Sequence, residues 1–214
     1  MVLHAKPIAN GSRRLDCLLG EGIGRQSLWC ARSIQLPTMV QLRLSWSGQW
    51  VRDYDAPLWP QYSPKSAVMA AYCVELCQRA VPEGGDLPGL LEALEQVLDV
   101  LRQQEDAVAL RYFELFLLSS LGHLPDWQVD SQGQALDYSR LYKLQAGVGL
   151  FVETEDAVDY QGLILDGETL QQLASRSIDN SRNIRRLCRY LIDHHLQGKT
   201  LRSRQFFSSQ KQYG

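Results

Sequence analysis

The sequence predicts an α+β protein: a small N-terminal β-barrel followed by a mainly α-helical domain with a short β-hairpin. Three observations lead there. Alternating strand patterns crowd into the first 57 residues. A proline-rich passage, Pro57 to Pro64, then interrupts the alternation. Beyond it apolar residues recur at helical spacing. The expected division is therefore residues 1–57 for the barrel and 58–214 for the helical domain.

Val2 to Pro7 reads as the first strand. In Arg13 to Leu19, Leu15, Cys17 and Leu19 alternate with Arg14 and Asp16. Arg25 to Arg32 sets Gln26, Leu28 and Cys30 against Arg25, Ser27 and Trp29. Met39 to Trp46 sets Val40, Leu42, Leu44 and Trp46 against Gln41, Arg43 and Ser45. Trp50 to Tyr54 is the fifth run, joined to the fourth through Ser47-Gly48-Gln49. Asn10-Gly11 and Gly20 to Gly24 supply turns. Five short strands in so few residues suit a small barrel of the OB type. Such barrels often hold single-stranded nucleic acid, with basic residues on phosphates and aromatics under bases. Lys6, Arg13, Arg14, Arg25, Arg32, Arg43 and Arg52 offer the charge, and Trp29, Trp46 or Trp50 the stacking surface. The competing role for the tryptophans is core filling, and Trp46 is expected in the core.

After the prolines, Lys65 to Val81 places Val68, Ala71, Tyr72, Leu76 and Ala80 along one side. Asp86 to Gln103 carries leucines and valines at helical spacing, with Asp86 as the expected cap and Pro88 in the first turn. A central helix spans about 106–123 and is the most apolar run in the chain. Gly122 and Pro125 end it. These three helices are expected to form an antiparallel bundle. Within 126–166, Arg140 to Leu144 and Gly149 to Thr154 read as two paired strands, and Gly167 to Ser175 as a short helix. The last helix, 181–197, puts Ile184, Leu187, Cys188, Leu191 and His195 on one face. Arg182, Arg185, Arg186 and Arg189 form a basic stripe on another. Lys199, Arg202 and Arg204 follow, with Phe206 and Phe207 beside them.

Charge is unevenly spread along the chain. Residues 1–60 carry a balance of +3, residues 61–175 of −12 and residues 176–214 of +7. Basic ends suit a polyanionic partner, while a solvated helix face pairing with the acidic middle is the plainer reading of the arginine stripe. Five scattered cysteines among apolar neighbours argue against a disulfide framework, and Cys73 and Cys77 lack a second pair that would complete a metal site. Buried thiols in a reducing cytoplasm are expected. The N-terminal charges precede no long apolar segment, so no signal peptide is expected, and no run of apolar residues is long enough to span a membrane. His4, His123, His194 and His195 show no triad or metal spacing, and no phosphate-cradling glycine loop occurs, so an enzyme is not expected. No cofactor is implied.

Two charges interrupt the central helix, Arg111 and Glu114, three positions apart and so neighbours on one face. Residue chemistry favours a local ion pair there. The alternative is that Arg111 stands beside an apolar groove and receives a partner's carboxylate.

Three segments together resemble the RecO family of bacterial recombination mediators. Val2-Leu3-His4-Ala5-Lys6-Pro7 is similar to that family's first barrel strand. Leu110-Arg111-Tyr112-Phe113-Glu114-Leu115-Phe116-Leu117-Leu118, ending at Leu121-Gly122, resembles its central helix. Gly198-Lys199-Thr200-Leu201-Arg202-Ser203-Arg204-Gln205-Phe206-Phe207 resembles its closing segment. The resemblance implies a non-enzymatic, cytoplasmic, nucleoid-associated protein that binds and anneals single-stranded DNA. It implies work with RecR, and with RecF in some members, to load RecA onto DNA coated by single-strand-binding protein (SSB). It also implies that the C-terminal tail of SSB docks with its carboxylate on Arg111 and its apolar part against Leu115 and Leu118. The sequence departs from many relatives in two ways. Residues 125–152 contain no cysteine, so no zinc site is expected. The connection Arg32-Ser33-Ile34-Gln35-Leu36-Pro37-Thr38 also carries a single cation where relatives commonly have a basic loop, which predicts weaker DNA binding. A protein-interaction adaptor whose barrel no longer binds DNA is the alternative.

Overall fold

A computed structural model describes residues 1–8, 11–20, 22–55, 61–152 and 162–209. Packing divides the chain into two compact units, residues 1–113 with 199–214, and residues 114–198.

The first unit begins with strands β1 (Val2–Pro7), β2 (Arg13–Leu19), β3 (Gly24–Cys30), β4 (Arg43–Ser47) and β5 (Trp50–Asp55). They form one sheet in the order β1-β2-β3-β5-β4. β3 meets β5 in parallel and the other pairs are antiparallel. This is the strand order of an OB barrel, left open between β1 and β4 among the described residues. The period of two turns Leu15, Cys17, Leu28, Cys30 and Val51 to a shared core, closed by Val2, Leu19 and Leu36.

Two corrections to the expected strands have local causes. The fourth strand starts at Arg43 rather than Met39 because Met39 takes a left-handed backbone, φ 60°, which ends extended pairing there. Trp46 is 40% exposed rather than in the core. It lies on edge strand β4, where the pairing to β5 shifts register between Ser45 and Trp46.

Helix α1 (Pro64–Ala80) is capped by Ser63, whose hydroxyl accepts from the Ser66 amide. Its buried stripe is Met69, Tyr72, Cys73, Leu76, Cys77 and Ala80, whereas Val68 and Ala71 are half-buried. The expected stripe was thus turned partly out of the core. Helix α2 runs Leu90–Gln103 and starts four residues after the expected cap, because Gly89 adopts φ 77° immediately before it. Leu90, Leu94, Val97, Leu98 and Leu101 are buried along it. The loop between α1 and α2 continues the sheet's pairing. The Arg25 amide donates to the Gly85 carbonyl at 2.9 Å, and the Gly84 amide donates to the Arg25 carbonyl at 2.7 Å. A short helix α6 (Ser203–Ser209), not expected from the sequence, returns to pack along α1.

Helix α3 (Ala107–Ser120) begins in the first unit and ends in the second. Asp106 caps it, accepting from the amides of Val108 and Ala109 at 2.7 and 3.1 Å. It stops at Gly122, φ 73°, where the His123 amide reaches back to the Leu118 carbonyl at 2.8 Å, the bond of a glycine C-terminal cap.

In the second unit, β6 (Tyr142–Gln145) is flanked by β7 (Gly149–Val152) and β8 (Leu163–Leu165). β8 is a third strand beyond the expected hairpin, and its three residues are too few to show a period. The strand expected from Arg140 begins at Tyr142, and Thr154 lies outside the described residues. Helix α4 (Gly167–Ala174) is capped by Asp166 and α5 (Arg182–Leu196) by Ser181. Asp166 Oδ2 also accepts from the Asn183 side-chain Nδ2 at 2.8 Å, tying the two helix starts together. All five cysteines are buried free thiols, and burial pushes those of Cys17 and Cys77 up to about 12.

Candidate nucleic-acid interface

Residues opposite one another in a sheet share a face, so register alone places side chains together. Lys6 opposes Arg14, Arg14 opposes Trp29, and Trp29 opposes Trp50. Four strands thus carry two cations and two indoles in one row, on the face away from Leu15, Leu28 and Val51. At about 4.8 Å between strands the row spans about 14 Å. The two indole centroids are 6.0 Å apart with the ring planes tilted by 32°. Lys6 and Arg14 are exposed, Trp50 is 41% exposed and Trp29 is half-buried.

The same face has a second, closed end. Arg25 donates to both Asp16 oxygens at 2.8 and 2.7 Å and to the Val81 carbonyl. The hydrogen bonds to Asp16, working against burial, hold the Arg25 pKa above its ordinary value. Its guanidinium fastens β3 to the α1–α2 loop and is already engaged. Gly24, φ 71°, belongs to that closure: a Cβ there would stand 2.3 Å from the Gly85 carbonyl oxygen. Arg14 lies at the border. It donates to Ser27 Oγ at 2.9 Å and meets Glu83 at 3.1 Å, with both side chains about half exposed. An exposed pair of this kind is worth about 0–1 kcal/mol, so a phosphate can take the place of Glu83.

The remaining basic candidates of the first unit separate by burial. Arg32 and Arg43 are exposed, and Arg13 is half-buried. Arg52 is exposed on β5. In the closing segment Lys199 and Arg202 are exposed, while Leu201 and Ser203 are each 4% exposed. Arg204 sets its guanidinium over the Tyr72 ring at 6.0 Å.

In the second unit, α5 buries Ile184, Leu187, Cys188, Leu191, Ile192 and Leu196 and turns Arg182, Arg185, Arg186 and Arg189 to solvent. Arg189 pairs with Asp193 one turn on, at 3.6 Å. Among the described residues no carboxylate pairs with Arg182, Arg185 or Arg186.

Helix α3 sets Arg111, Leu115 and Leu118 at i, i+4 and i+7, on one side. Arg111 and Leu115 are half-buried, whereas Leu118 and Glu114 are each 1% exposed. Leu118 therefore packs inward, and Arg111 and Leu115 keep access to solvent. A separate hollow of about 160 Å³ in the second unit is lined by Gly122 to Pro125, Leu144 to Gly149 and Leu191. None of the sequence-derived site residues reaches it. At its wall His123 Nε2 lies 2.6 Å from His195 Nδ1. Burial, then the nearby His195 and His194, lowers the His123 pKa. Sequence spacing did not foresee this pair, which lies 72 positions apart. Among the described residues no group of three or more His, Cys, Asp or Glu side chains is placed to hold a metal, and no helix is long and apolar enough to cross a membrane.

The family described as "Recombination protein O C terminal" matches residues 62–205. "DNA repair protein RecO" of Methylococcus capsulatus is 30% identical over 212 residues, covering 94% of this chain and 80% of that protein. The protein of the same description from Marinobacter nauticus is 29% identical over 188 residues, covering 84% and 71%. That from Psychromonas ingrahamii is 27% identical over 228 residues, covering 97% and 96%.

Proposed function

The chain belongs to the RecO family of DNA repair and recombination proteins, and from that premise we propose that it is a non-enzymatic mediator that grips single-stranded DNA on the open end of its N-terminal sheet. The observation that carries this reading is the row Lys6, Arg14, Trp29, Trp50. Cations at one end take phosphates, and indoles at the other take unstacked bases. Arg32 and Arg43 extend the charge along the first unit, and Arg25 does not, because Asp16 and Val81 already hold it. The α5 stripe offers a second phosphate-tracking surface, with Arg182, Arg185 and Arg186 as its contacts. Two such surfaces suit the annealing of two strands. No bond is made or broken; partners are exchanged on DNA.

The finer assignments rest on family membership. Residues 1–57 are read as the OB domain and 58–214 as the helical domain, with DNA contacts on both and the SSB tail on the second. The SSB tail docks through its carboxylate on Arg111 and its apolar residues on Leu115, with Leu118 supporting that surface from beneath. RecR, and RecF in some members, then joins it in loading RecA.

Titrating a fluorescently labelled oligothymidylate across salt concentrations tests the reading. Binding that weakens steadily with rising salt, as counterion release requires, supports the mediator. No binding at low salt refutes it and leaves an adaptor whose single cation in residues 32–38 no longer suffices to hold DNA.

A further inference from the structure

We infer that Glu75 is a positioning residue that presents Arg202 and Arg79 together as a phosphate contact, an inference that rests on the DNA-binding reading above. Glu75 sits on α1, in the acidic part of the sequence, and its side chain is 14% exposed. Its Oε1 accepts from the Arg202 amide at 2.9 Å. Its Oε2 accepts from the Ser203 amide at 2.8 Å and from Ser203 Oγ at 2.7 Å. Burial works to raise its pKa, but the Ser203 and Arg202 hydrogen bonds and the nearby Arg79 outweigh it, so the carboxyl stays ionised.

A short helix is ordinarily capped by a residue just before it. Here the cap comes from 127 and 128 positions away, so it fixes tertiary placement rather than local helicity. The effect on the closing segment is to sort its residues. Leu201 and Ser203 face inward and are buried, while Lys199 and Arg202 are left outward. Arg79 Nε lies 3.9 Å from the same carboxylate, and its side chain is 38% exposed. One half-buried carboxylate oxygen, Glu75 Oε1, thus takes both the Arg202 backbone amide and the Arg79 guanidinium. Arg202 and Arg79 are therefore neighbours through that carboxylate, and each guanidinium carries the forked donors that a phosphate diester accepts. Arg79 is not among the cations that the sequence reading singles out.

The sign of one substitution separates positioning from simple charge. Removing a carboxylate beside a DNA contact should tighten binding on Coulomb grounds alone. Positioning demands the reverse. In the full chain, Glu75→Gln should weaken oligothymidylate binding about threefold to tenfold at low salt and flatten the slope of log affinity against log salt by about one. Ser203→Ala, which keeps the charge and removes one donor, should shift affinity the same way by a smaller factor. Arg79→Ala should flatten the slope about as much as Glu75→Gln. Glu92→Gln, an exposed carboxylate on α2 outside the clamp, serves as the charge control and should leave binding equal or tighter. Wild-type binding with Glu75→Gln equal to or tighter than wild type overturns the positioning role and leaves the DNA-binding reading standing. Absence of wild-type binding overturns both.

Discussion

Replacing Arg25 with Met tests whether that arginine is a fastener rather than a DNA contact. Its guanidinium makes two short bonds to Asp16 and one to the Val81 carbonyl, and the two side chains are 17% and 15% exposed. The substitution leaves the Asp16 carboxylate largely desolvated and without its cation. Breaking a fully buried pair costs about 3–5 kcal/mol, and the residual water access here lowers that to about 2–4 kcal/mol. Pairing the change with Asp16→Leu removes the stranded charge, and well-packed apolar replacements of a buried pair are often neutral. The double variant should therefore recover most of the loss. Urea denaturation followed by tryptophan fluorescence reads the stability, and oligothymidylate titration reads the salt slope, which should not change. A loss under about 1 kcal/mol, the scale of an exposed pair, or a flattened salt slope in a stably folded variant, would refute the reasoning.

Other outcomes follow from the same geometry. Gly24→Ala should destabilise the first unit by at least about 2 kcal/mol in the same denaturation assay, since its Cβ would press on the Gly85 backbone at a left-handed φ. Converting Arg182, Arg185 and Arg186 to Ala together should flatten the salt slope for single strands by about 2, at about 0.7 per lost phosphate contact. Arg111→Ala should weaken an SSB tail peptide by about 1–3 kcal/mol in fluorescence anisotropy; unchanged affinity removes the assignment. His123 is held below its ordinary value of 6.5, so the unfolded chain takes up its proton first as pH falls. Stability from this residue is complete above about 6.5 and declines below it, and His123→Gln should make the stability loss between pH 7.5 and 5.5 smaller.

Strands β1, β2, β3 and β5 and helices α1, α3, α4 and α5 were legible because each rests on a local signal. Period-two alternation gave β2 its core side directly, and Ser63, Asp106, Asp166 and Ser181 mark helix starts by caps that act within three residues. The α5 stripe was legible because a helix sorts residues by spacing alone. Much of what escaped depended on chain segments that sequence order does not place side by side. Arg25 reads as one more cation until Asp16 and Val81 close on it. Trp46 shares the phase of Val40, Leu42 and Leu44, yet a register shift and an edge position leave it exposed. Asp86 and Pro88 carry the ordinary start signals, and Gly89 overrides them with a backbone that a helix cannot continue through. The row of Lys6, Arg14, Trp29 and Trp50 was visible only as four separate candidates, since nothing in the sequence states which residues stand opposite one another.

The most direct test of the sheet-face account is the affinity of Trp50→Ala for oligothymidylate, measured by anisotropy at two salt concentrations. Stacking on an indole contributes about 1–3 kcal/mol per base and releases no counterions. The account predicts a loss of that size with the salt slope preserved. Wild-type affinity in Trp50→Ala, in a protein that still binds DNA, would contradict it.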